Sequence, residues 1–157
     1  MEIKTGALKI TIISLEILCA FLCYLFVVGL IKSVLSNDIY LSKVLFYIGM
    51  NMALVLSIIS NFIVYSLLVL IDKDVLFTEK AIKKVSLIKV LSIFIFLSLI
   101  GILPMVLHIV QVTKVTGVIP VGIIIIGAPL ILTTFIGVFE KLLKKMVQIK
   151  SENDLTV

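Results

Sequence analysis

The sequence predicts an all-α integral membrane protein, a bundle of four transmembrane helices. Hydrophobic residues make up 62% of its 157 positions and charged residues 15%, against roughly 45–50% and about 25% in soluble domains. A soluble protein of this size has too little interior to hide that excess, so its surface would form a large apolar patch. In a bilayer the same surface faces lipid, which favours a membrane protein.

Four apolar runs are long enough to cross a membrane as helices. They lie at about 10–31, 44–71, 90–113 and 115–139, and a helix needs roughly 20 apolar residues to cross the hydrocarbon layer. None of the four alternates polar and apolar residues as a barrel strand does. The first run is longer than the apolar core of a signal peptide and no small-residue cleavage site follows it. We therefore expect it to remain as a span.

Two of the spans contain a proline that we expect to kink the helix. Pro104 and Pro129 each remove a backbone donor.

The distribution of basic residues predicts the orientation of the spans. All 14 basic residues are lysines. The stretches before the first run, between the second and third, and after the fourth hold Lys4, Lys9, Lys73, Lys80, Lys83, Lys84, Lys89, Lys141, Lys144, Lys145 and Lys150, and the other connections hold Lys32, Lys43 and Lys114. Lysine-rich loops stay in the cytoplasm, so the sequence predicts both termini inside.

The connection Asp72–Lys89 is predicted to contain a short amphipathic cytoplasmic helix before the third span. Thr78 suits the N-cap position and Glu79 the first turn. The lysines on one face of this helix are Lys80, Lys83 and Lys84. Two interpretations stay open: the helix is held by anionic lipid headgroups, or it is a docking face for an acidic cytoplasmic partner.

The fourth span is predicted to continue as a helix through Glu140–Gln148, the first part of a cytoplasmic tail at 140–157. A second basic collar on this helix consists of Lys141, Lys144 and Lys145. From Ser151 onward the tail is short and polar, and we expect it to be mobile unless it binds something.

Two stretches resemble a bacterial family of small four-span membrane proteins, the domain of unknown function numbered 2975. Before the third span, Phe77 and Thr78 resemble the F-S/T pair of that family's G-x-x-F-S/T-x-x-N loop, although Asp74 and Ala81 depart from its glycine and asparagine. The end of the chain resembles the family's K-E-E-N-D-L-T-I close through Glu152, Asn153, Asp154, Leu155 and Thr156.

The resemblance implies a multi-pass protein of the bacterial plasma membrane, from a family without an established activity. Its members are often encoded beside a small Cro/C1-type helix-turn-helix protein. That association favours a membrane partner for a cytoplasmic DNA-binding regulator. No pattern in this chain points to direct contact with nucleic acid by the chain itself.

The polar residues inside the spans are the candidates for intramembrane chemistry. Glu16 lies about 10 Å along the helix from Lys9, where a carboxylate costs a few kcal/mol unless it is paired, protonated or hydrated. Its pairing candidates are lysines at the cytoplasmic ends of the spans, such as Lys89. Glu16 is either a proton- or cation-responsive site or a structurally paired acid. The other polar groups, which we expect to bond neighbouring helices, are Asn51, Asn61 and Tyr65.

The sequence predicts neither an enzyme nor a cofactor or metal site. It contains no zinc-binding His-x-x-Glu-His motif, nucleophile elbow or phosphate-binding loop. Cys19 and Cys23 share a face of the first span away from His108, the single histidine, which favours a packing role over metal binding.

Three functions remain open. The first is a regulatory or scaffolding protein that binds a cytoplasmic protein through Asp72–Lys89 and the tail. The second is an immunity or response protein that protects the membrane against an antimicrobial peptide. The third is a small channel or transporter built as an oligomer of identical chains, with Glu16 lining the path.

Overall fold

Long apolar helices account for most of the chain. The computed structural model describes residues 5–73 and 75–154, with side chains through residue 152. The helices are α1 (Gly6–Leu35), α2 (Leu41–Asp72), α3 (Glu79–Leu99), a 3-10 turn (Ile100–Ile102), α4 (Leu103–Thr113) and α5 (Val118–Asp154). With α3 and α4 taken together, four of these stretches are long and apolar enough to cross a membrane. The predicted fold class is confirmed.

The helices pack in a row in chain order. Helix α2 packs against α1 on one side and α3 on the other, and α3 packs in turn against α5. Helix α1 meets α2 through Phe26, whose ring lies edge-on to the rings of Phe46 and Tyr47. Within the described residues α1 contacts little else, so its other faces are left to lipid.

Two glycines lie where α2 packs closely against the end of α3 and the 3-10 turn after it. A Cβ atom built on Gly49 would lie 2.6 Å from the carbonyl oxygen of Ser98, and one on Gly101 would lie 3.0 Å from that of Leu45. Small residues let helix backbones come this close in a membrane, where packing rather than water drives association. Beside this crossing lies a core cluster of Ala53, Leu99, Ile102, Val106 and Ile126.

The third span is interrupted one turn before Pro104. Proline lacks the N–H that would bond the carbonyl of Ile100, and its ring crowds that carbonyl. The chain therefore forms a 3-10 turn at Ile100–Ile102 before α4 resumes. Helix α5, by contrast, runs through Pro129 without a break.

One predicted boundary was wrong. The amphipathic segment is not a separate helix, because α3 is continuous from Glu79 and includes it. Packing of Ala81 and Val85 against Leu143 of α5 supports these first turns of α3. Helix α5 extends to Asp154, so the beginning of the polar tail is helical, and its mobility stays a prediction. Of the family-like tail residues, Leu155 and Thr156 and the side chains of Asn153 and Asp154 lie outside what the structure describes.

Candidate functional site at the lysine-rich end

In the described part of the chain, the first turns of α1, the end of α2, the start of α3 and the last third of α5 lie at one end of the molecule, here called the lysine-rich end. At this end the side chain of Asp72, the last residue of α2, accepts hydrogen bonds from Thr5 and from Lys9 at the start of α1. The Lys9 ammonium also lies 6.0 Å from the ring centroid of Tyr65, within cation–π range. These contacts hold the first turn of α1 to the end of α2.

The loop before α3 places Thr78 at the N-cap position. Its backbone is extended and its carbonyl accepts bonds from the N–H groups of Ala81 and Ile82. Its hydroxyl donates to the carbonyl of Val75 at 3.0 Å rather than accepting from α3. Phe77 beside it is 40% exposed. Thr78 therefore begins the helix through its backbone and closes the loop with its side chain.

The predicted lysines at the start of α3 do not share one environment. Lys84 donates a hydrogen bond to Ser66 of α2. Lys80 and Lys83 are exposed and line a depression of about 490 Å³, with Leu70 on its α2 side. This part of the predicted basic face thus lies along α2.

Beyond the span, α3 and α5 are joined by a small apolar core. Ala81, Val85 and Leu143 are almost completely buried there, at 0%, 2% and 2% exposure. Ala81 and Val85 are four residues apart on α3, so they lie on the same face of that helix. This face packs against Leu143 of α5. This core holds the first turns of α3 and the last third of α5 as one unit.

Glu140 is the charged residue that sequence reasoning missed. Its side chain is buried, with 6% exposure, and its two carboxylate oxygens accept separate bonds, one from Lys89 of α3 at 3.0 Å and one from Lys144 at 2.7 Å. Lys89 was a pairing candidate for Glu16 and pairs here instead. The available signal was spacing: Glu140 lies four residues after Ile136 and three before Leu143, on the face that packs against α3.

A groove of about 300 Å³ opens beside this ion pair, between α3 and α5. Lys89 lines it from α3, and Lys141 and Lys144 line it from α5. Gly137 and Val138, which lie within the apolar run of α5, also line it. None of the residues lining it lines the depression along α2. Of the predicted lysines, Lys80 and Lys83 therefore line one cavity, and Lys141 and Lys144 line the other.

The far side of α5 carries an exposed apolar stripe. Leu142, Met146 and Ile149 are 57%, 53% and 56% exposed, and their spacing of four and three places them on one face. Lys145 is three residues after Leu142 and four before Ile149, while Lys150 follows Met146 by four. Both lysines are exposed. We call Leu142, Met146 and Ile149 the α5 stripe.

The intramembrane polar residues have separate surroundings. Asn51 donates to the carbonyl of Tyr47 at 2.9 Å and accepts a bond from the Cys23 thiol at 3.2 Å, which joins α1 to α2. Asn61 makes no side-chain hydrogen bond within the described residues. The Oε1 atom of Glu16 is buried and has no hydrogen-bond partner in the same part of the chain. Among residues 5–73 and 75–152 no three acidic, Cys or His side chains gather as a metal site.

Comparison with known proteins places the chain among membrane proteins. It is 29% identical to the uncharacterized membrane protein YoaS of Bacillus subtilis over 130 residues, which cover 83% of this chain and 74% of that protein. No solved structure matches it. The model of the family described as "Protein of unknown function (DUF2975)" matches residues 5–157. The chain therefore belongs to the DUF2975 family of proteins.

Proposed function

We propose that this protein is a non-enzymatic regulatory or scaffolding protein of the bacterial plasma membrane. Both termini and the lysine-rich end face the cytoplasm, in accordance with the positive-inside rule. Its partner is a cytoplasmic protein that binds the part of α5 beyond the membrane. The α5 stripe is the observation that carries this proposal.

The length of α5 supports a surface outside the bilayer. Its 37 residues extend over about 55 Å at 1.5 Å per residue, whereas the hydrocarbon layer is about 30 Å thick. The apolar run ends near Phe139, so Ile149 lies about 15 Å beyond the end of that run along the axis. An exposed apolar stripe at that height marks an interaction surface more readily than a lipid contact.

The surroundings of the α5 stripe define the chemistry of the partner. Lys145 and Lys150 flank the stripe on its two sides, which favours an amphipathic helix with acidic residues beside its apolar face. Leu143 packs against α3 on another side of α5. The surface is therefore already ordered before a partner arrives, which lowers the entropic cost of binding.

The family resemblance adds a class of partner. Genes of such proteins are often found beside one for a small helix-turn-helix regulator. A membrane protein that holds such a regulator at the bilayer would reduce its access to DNA. The sequestered regulator, rather than this chain, would contact the nucleic acid.

Site-specific photocrosslinking in cells tests the proposal. A photoreactive amino acid at position 146 should form an adduct with a cytoplasmic protein, and the double change Lys145→Glu and Lys150→Glu should abolish it by repelling acidic groups. Lys73→Glu, which reverses an exposed charge elsewhere at the same end, should leave the adduct unchanged. If the only adducts are with lipid or with a second copy of this chain, the proposed cytoplasmic partner is contradicted.

Glu16 favours a second candidate, a small channel or transporter formed by several copies. Its buried, unpartnered carboxylate oxygen lies on the helix that forms one edge of the row, where a neighbouring chain has room to pack. Cation flux into liposomes should then fall for Glu16→Gln and persist for Glu79→Gln. Flux that is equal in both variants would remove this candidate.

Immunity to an antimicrobial peptide stays a prediction from the sequence, to be tested by killing curves.

A further inference from the structure

We propose that the groove between α3 and α5 binds the headgroup of an anionic phospholipid. The groove is lined by Lys89, Lys141 and Lys144 around the carboxylate of Glu140. It lies on a different side of α5 from the α5 stripe, so this site does not depend on the proposed protein partner.

The charges of the groove favour an anion. Three lysines and one glutamate leave an excess of two positive charges. An ammonium group has three N–H donors, and Lys89 and Lys144 each give one to Glu140. Their side chains remain 37% and 56% exposed, so their other donors are accessible to a ligand. Lys141 forms no ion pair within the described residues and contributes its full charge.

Glu140 gives these lysines fixed positions. A buried carboxylate is tolerated when its oxygens are paired and hydrogen-bonded, and here each oxygen has a lysine partner. The carboxylate therefore joins α3 to α5 and holds two ammonium groups beside the groove. A phosphate in the groove would meet lysine donors that are already oriented.

The position and the lining of the groove favour a lipid over free phosphate. The groove extends along α5 from Thr134 to Lys144, so it spans the end of the apolar run, which is the height of the headgroups. Gly137 and Val138 line the part within the apolar run, which suits the glycerol and the upper acyl chains. A Cβ atom on Gly137 would lie 3.8 Å from Cδ of Lys89, so a larger side chain there would extend into this space.

Native mass spectrometry of the full chain released from nanodiscs measures the proposed binding. In phosphatidylcholine nanodiscs that also contain phosphatidylglycerol, the protein should retain phosphatidylglycerol selectively. Lys141→Gln should lower that retention roughly fivefold, which corresponds to about 1 kcal/mol for one lysine near an anionic surface. Gly137→Leu, which fills part of the groove and replaces none of the lysines, should lower the retention at least as much. The matched control Lys73→Gln removes an exposed charge outside the groove and should leave retention unchanged.

Three outcomes would overturn the proposal. Equal loss in Lys73→Gln would show attraction by overall charge rather than a site. Full retention in Gly137→Leu would show that the groove is not occupied. Displacement of phosphatidylglycerol by millimolar inorganic phosphate, with equal binding of phosphate in pure phosphatidylcholine, would assign the site to free phosphate instead.

Discussion

At the residue scale, Glu140 shows how a single side chain organises the lysine-rich end. It is buried between two helices, and its two oxygens separately bind a lysine from α3 and a lysine from α5 itself. Without the carboxylate these two ammonium groups would repel each other across the interface. Glu140 therefore decides whether two neighbouring cations stabilise the packing of α3 on α5 or oppose it.

Replacement of Glu140 by Gln should lower the stability of the protein. We expect a loss of about 1–3 kcal/mol, because hydrogen bonds to a charged group disappear and two lysines lose their counter-ion. The thermal midpoint in detergent, followed by size-exclusion chromatography after heating, measures the effect. Glu152→Gln changes an exposed acid on the same helix and should shift the midpoint much less. An unchanged midpoint for Glu140→Gln would contradict a structural role for the ion pair.

The sequence did not reveal Glu140 for a physical reason. The residue follows directly after the apolar run that ends at 139 and precedes three lysines, a pattern typical of a solvated helix end. Its burial depends on α3, more than 50 positions away, and the packing of Val85 against Leu143 is not visible in local composition. Glu16, in contrast, was recognised because an isolated charge within an apolar run is unusual in any fold.

At the element scale, the close packing of α2 against the third span depends on the absence of side chains at Gly49 and Gly101. The spans themselves could be predicted because hydrocarbon thickness sets their length, whereas this crossing depends on which faces of α2 and α3 meet. Apolar residues surround both glycines in the sequence, so period and composition gave no signal for the contact.

The change Gly49→Ala should separate α2 from α3. Its Cβ would lie 2.6 Å from the backbone oxygen of Ser98, and a backbone atom cannot move aside as a flexible side chain can. We expect a loss of about 1–3 kcal/mol, in the range of overpacked cores. Gly127→Ala is the matched control, because nothing lies within 4 Å of its Cβ position. Comparison of the two thermal midpoints checks the prediction, and equal midpoints would refute the close contact.

At the scale of the whole molecule, the row of helices leaves α1 attached mainly through α2. The side-chain hydrogen bonds between α1 and α2 lie at two levels. Thr5 and Lys9 bond to Asp72 at one level, and Cys23 bonds to Asn51 at the other. Regions with few buried contacts open at low free energy. Helix α1 should therefore be the least protected of the four spans.

Removal of the charge on Asp72 should loosen the first turns of α1. In Asp72→Asn the amide can no longer form an ion pair with Lys9, so we expect faster hydrogen exchange at residues 6–12. Exchange in α3 should stay at the wild-type rate, because α3 is held by α2 and α5. Hydrogen–deuterium exchange in nanodiscs measures both helices at once, and unchanged exchange at residues 6–12 would contradict the proposed tie.

The proposed function requires that the lysine-rich end, with the α5 stripe, face the cytoplasm. Single cysteines at Ser36 and Ser151, in a chain whose Cys19 and Cys23 are replaced by serine, can be tested with a membrane-impermeant thiol reagent. We expect Ser36→Cys to react in intact cells and Ser151→Cys to react only after the membrane is opened. Labelling of Ser151→Cys from outside, with Ser36→Cys protected, would place the lysine-rich end outside the cell and contradict the proposed function.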